Sequence, residues 1–134
     1  MVQSIIFREV VRVSTEALFR AAVAEHADKE YRAGGCSTLE VNEADKEYDK
    51  VWAVASNTCS FAGRLLNNEL HIGRCEGWLK DLMIEMFQRA KENAMREAKT
   101  YFDGWYDVDT LNLDKVFDRE INYLWRMIVG QIYC

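Results

Sequence analysis

A chain of 134 residues with 49% apolar and 29% charged side chains reads as one folded domain, long enough to bury roughly two-thirds of its unfolded surface. A net charge of −5 argues against a general nucleic-acid or anionic-membrane binder, since either needs a basic face. No run approaches the ~18 uninterrupted apolar residues of a membrane span, and Arg8 and Glu9 interrupt the N-terminal apolar stretch, which therefore does not read as a signal peptide.

The absence of proline, where about 5% is average, suits a helical chain, because proline breaks helix interiors. The first thirteen residues hold Ile5, Ile6, Phe7, Val10, Val11 and Val13, enough β-branched and aromatic character for a strand. Ile6, Val10 and Val13 also share a helical face, and the helical reading is taken. Ser14-Thr15-Glu16 has the chemistry of a helix start, a hydroxyl for the free N–H groups and an acid for the positive end. A helix is expected from Thr15 to about Arg32, packed through Leu18, Phe19, Ala22, Val23 and His26 and ended by Gly34-Gly35.

A second helix is expected from about Val41, with Ala44, Tyr48, Val51, Trp52, Ala55, Cys59, Ala62 and Leu66 on one face. Several of these are small enough for a neighbouring helix to approach closely. Ser56-Asn57-Thr58 predicts a bend or an end. The rival reading is α+β, with a small hairpin within residues 51–72: strands at Val51–Ser56, Phe61–Leu66 and Glu69–Ile72, and Asn67-Asn68 as a turn.

The strongest pattern runs from Cys75 to Phe102. Trp78, Leu79, Leu82, Met83, Met86, Phe87, Ala90, Ala94, Ala98 and Tyr101 recur at steps of three and four, forming one apolar stripe. Glu85 with Arg89 and Glu92 with Arg96 are acid-before-base pairs at i, i+4, the favourable order on an exposed face. Asp103-Gly104-Trp105-Tyr106-Asp107 reads as a loop. Asp109 or Thr110 is expected to cap a last helix whose stripe is Leu113, Phe117, Ile121, Leu124, Trp125, Ile128 and Ile132. The last two helices are expected to pack antiparallel, bringing Leu82 and Phe87 onto Leu124. With no linker or low-complexity run, the chain reads as a single all-α domain over residues 1–134, a bundle of four to five helices.

Chemical motifs are mostly missing. There is no phosphate loop of the GxxxxGK type, no GxSxG elbow and no HExxH. The pair His71 and Cys75 stands at i, i+4, and Cys36 and Cys59 are the residues that would complete a tetrahedral Cys3His zinc site; no Cys-x-x-Cys accompanies them. Glu40 with Glu43 and Glu25 with Asp28 imitate the magnesium carboxylates of all-α nucleotide pyrophosphohydrolases in reversed order, and read better as a solvated face. Counted from Asp107, the acidic loop has a leucine and an asparagine where a calcium loop needs an oxygen ligand and a glycine. Arg8, Arg12 and Arg20 make at most a small basic patch.

Aromatic residues point instead to binding. Trp105 and Tyr106 in a turn, Tyr123 off the last stripe and Tyr133 near the chain's end are residues a monomer of this size need not bury, as at a protein–protein surface. The C-terminal stretch INYLWRMIVGQIY is similar to the closing helix of head-to-tail connectors of phage particles, and that resemblance implies a virion structural protein. The expected function is non-enzymatic: binding a protein partner or self-association into a homo-oligomer, in the cytoplasm or a particle assembled there, with no cofactor. The alternative is a small helical metal-binding enzyme or regulator with its site near His71 and Cys75.

Overall fold

The computed structural model describes residues 2–70, 76–102 and 112–132, which form one bundle of four helices with no strand among them: α1 (Val2–Arg32), α2 (Thr38–Leu70), α3 (Glu76–Tyr101) and α4 (Leu113–Ile132). Residues 51–70 are helical throughout, so the hairpin reading is overturned for them; His71 and Ile72 lie outside the described residues.

Two expected breaks are also absent. Ser14 and Thr15 sit inside α1, where the Thr15 hydroxyl donates to the Val11 carbonyl at 2.6 Å, one turn back. A hydroxyl that would cap a helix start bonds the preceding turn when apolar packing carries the helix through it. The same dominance of packing carries α2 through Ser56-Asn57-Thr58, because Ala55, Cys59 and Ala62 on either side are buried.

The ends follow local rules. Gly34 has φ 86°; the N–H of Gly35 donates to the Glu30 carbonyl and that of Gly34 to the Tyr31 carbonyl, a left-handed glycine termination. The next helix starts before the expected Val41. Ser37 accepts the N–H of Glu40 at 3.2 Å and donates to the Glu40 carboxylate at 3.3 Å, so Glu40 belongs to the first turn as a reciprocal cap. At α4 the carbonyl of Asn112 (φ 52°) accepts the N–H groups of Lys115 and Val116; Asp109 and Thr110, the expected caps, lie outside the described residues.

α1 is the hub. It lies against α2, α3 and, less closely, α4, while α2 packs on α4. Tyr48 beside Glu120 and Gly63 beside Ile128 set α2 and α4 parallel; Phe19 on Tyr101 and His26 on Phe102 set α1 and α3 parallel. The expected α3–α4 pair is antiparallel, with Lys91 bonded to Asp118 and Phe87 6.1 Å from Trp125, yet it is the least intimate of the helix pairs named here. Phe87 and Leu124 do share a core, with Leu82 half-buried at its edge. That core also holds Val10, Cys59, Leu66, Met83 and Ile128. A second, alanine-rich core gathers Ala21, Ala22, Ala90, Ala94 and Ala98 around Leu18, Phe102 and Phe117, small side chains that let α1 and α3 lie close.

Candidate functional site

Among the residues expected to form a site, Tyr123 is half-exposed on α4. Its ring stands edge-on to Trp52 at 6.1 Å, and Trp52 stacks with Tyr48 at 6.3 Å. Trp105, Tyr106 and Tyr133 lie outside the described residues, as do His71 and Cys75. Cys36 is in the α1–α2 turn and Cys59 is fully buried in the middle of α2. A continuous helix separates the two cysteines by roughly 30 Å, so one ion cannot bridge them. Burial pushes the Cys59 thiol up to about 12, against a small lowering by the Ser14 hydroxyl, which lies nearby without a full hydrogen bond; burial, then Glu40, raises Cys36. Both thiols are kept from the thiolate form that binds metal or attacks an electrophile.

Three of the four carboxylates considered for magnesium have structural work. Glu40 caps α2, Asp28 pairs with Arg32 at 2.8 Å, and Glu25 lies 3.9 Å from Arg119. No group of three His, Cys, Asp or Glu residues is placed to hold a metal ion among the described residues. His26 is buried with its ring 4.7 Å from Phe102; burial lowers its pKa against the pull of Glu30, which keeps it a neutral core histidine. Glu120 is 2% exposed and satisfied by the Tyr48 hydroxyl and by Arg119 at 3.3 Å. It ties α4 to α2.

Hollows open to solvent flank α1 on two sides. On the α2 side, a groove of about 390 Å³ is lined by Ile5, Val10, Phe61, Ala62 and Leu65, and a separate hollow of about 270 Å³ farther along α1 is lined by Arg12, Glu16, Glu47, Val51 and Val54. Ile5, Val54 and Phe61 are 60%, 50% and 57% exposed, large apolar side chains on the α1–α2 side. On the α3 side, two adjoining hollows of about 600 and 540 Å³ meet at Asn93 and are lined by Phe7, Arg8, Arg12, Phe19, Arg20, Arg89 and Arg96, with Glu16, Glu85 and Glu97 among them. The sequence suggested only the three α1 arginines of this groove.

No family model, curated protein or solved structure matches this chain. No helix among the described residues is long and apolar enough to cross a membrane.

Proposed function

We propose that this protein works by binding protein, without catalysis of its own, and that its first partner is a second copy of the chain. The observation that carries the reading is the α1–α2 groove: Ile5 and Phe61 stand more than half exposed over Val10, Ala62 and Leu65, and Val54, half exposed, lines the next hollow along the same two helices. Solvent-facing apolar side chains gathered in one strip mark an interaction surface, whereas scattered ones need no explanation. The flanking Glu9, Arg12 and Lys50 supply the polar rim that such surfaces carry. Tyr123 with Trp52 is a smaller aromatic surface on the α2–α4 side, open to a further partner. Membership of a phage-type particle is the finer form of this reading, and self-association is its first requirement.

The test is Phe61→Asp, alone and with Ile5→Asp, followed by static light scattering and far-UV circular dichroism. The reading predicts a lower molar mass at unchanged helical content, because truncation of a central aromatic anchor costs about 2 kcal/mol or more of binding. An unchanged mass in both variants ends the assignment of this groove.

A further inference from the structure

The groove on the other flank of α1 has a different chemistry. Among the described residues five arginines line it and no lysine does, in a molecule whose net charge is −5. The sequence pairs Glu85 with Arg89 and Glu92 with Arg96, but those pairs do not close. Arg89 lies over the Phe7 ring at 5.8 Å, Arg96 bonds Asn93, and Arg20 lies over the Phe19 ring at 5.3 Å with its Nε buried and unbonded. Arg12 is paired with Glu9 at 2.8 Å, but Arg20, Arg89 and Arg96 have no ion pair among the described residues, and an unpaired guanidinium is a fork that can take a carboxylate two oxygens at a time.

A complementary row lies across α1. Glu40, Glu43 and Glu47 are spaced i, i+3, i+7 on one face of α2, and Glu47 lines the α1–α2 groove together with Arg12 and Glu16. The arginines thus flank α1 on its α3 side, and Glu47 flanks it on its α2 side at the height of Arg12 and Glu16, with Glu43 and Glu40 one and two turns nearer the start of α2. A two-fold axis running along α1 exchanges the two flanks and keeps the height.

Resting on the self-association proposed above, we infer that two copies meet through their α1 faces about such an axis. Each sets Glu43 and Glu47 into the other's groove at Arg20 and Arg96. The contact is isologous and closes at two subunits. Glu16, Glu85 and Glu97 inside the groove favour carboxylates spaced a helical turn apart, with Lys46 and Lys50 beside them, over a continuous phosphate backbone.

The experiment uses two charge-reversed chains, one carrying Arg20→Glu with Arg96→Glu and the other Glu43→Lys with Glu47→Lys. Each alone meets only like charges, so its self-association is expected to weaken by roughly a hundredfold or more, leaving monomer by light scattering. Mixed in equal amounts they are complementary at both contacts, and the dimer mass returns. Circular dichroism of each chain separates loss of contact from loss of fold, and the α2 variant, whose changes lie at the surface, stands if the Arg20 variant fails to fold. Wild-type mass in the α2 variant overturns the pairing, as does a mixture of two folded monomers that fails to recombine. So does loss of binding to a single-stranded oligonucleotide probe with mass unchanged. If Phe61→Asp dissociates the protein while the charge variants do not, self-association stands and only this pairing falls.

Discussion

The Tyr48 hydroxyl donates to both carboxylate oxygens of Glu120, at 2.9 Å each, and so ties α2 to the only acid buried among the described residues. Tyr48→Phe strips that carboxylate of its neutral donor and is expected to cost about 1–3 kcal/mol, the desolvation penalty of a buried group left short of a partner, measured by urea unfolding. A loss within error would mean that water or Arg119 replaces the bond.

The same contact sets a pH dependence. Burial, then the charge and hydrogen bond of Glu120, raise the Tyr48 pKa above its ordinary value of 10.0. A group whose folded pKa is raised contributes its full stability below the unfolded value and loses it as pH rises through the folded one. The wild type is therefore expected to lose stability above about pH 10 more steeply than Tyr48→Phe does, and parallel curves for the two proteins would contradict the contact.

Gly63 on α2 lies beneath α4. A Cβ there would meet the Ile128 carbonyl oxygen at 2.5 Å and the Gln131 Cβ at 2.9 Å, whereas one at Gly130 would meet nothing within 4 Å. Gly→Ala in a helix interior normally stabilises by up to ~1 kcal/mol. Gly130→Ala is expected to follow that rule, and Gly63→Ala to reverse it by roughly 1–3 kcal/mol, because backbone and not a flexible side chain stands in the way. Thermal melts of the two variants give the signs directly.

Leu124 is fully buried and Leu82 only half so. Leu124→Ala is expected to cost about 2–5 kcal/mol and Leu82→Ala distinctly less, by chemical denaturation. Equal losses would place Leu82 deeper than the core described above.

Legibility followed physical cause. The interiors of α2 to α4 were readable because each buries one stripe, such as Leu79, Met83, Met86 and Phe87 in α3. α1 was harder because it packs on three helices, so Ile6, Val10, Val13, Ala17, Leu18, Ala21 and Ala22 spread beyond a narrow stripe and blur with a strand pattern. Ser14-Thr15 misled because the same hydroxyl serves a cap or a bond one turn back, and only tertiary packing decides between them. The Ser37–Glu40 cap was legible as S-x-x-E and went unread in favour of a later start. Only the α1 side of the arginine groove was legible: its two sides lie on α1 and α3, which become neighbours only through the bundle's topology.

The central claim is that this chain binds its own kind, and the molar mass of the unmodified protein tests it most directly. Multi-angle light scattering over a concentration series is expected to show mass rising from monomer to dimer. The dimer should weaken between about 0.1 M and about 1 M salt, as the screening length falls from ~10 to ~3 Å. A monomer mass at every concentration and salt would contradict the account.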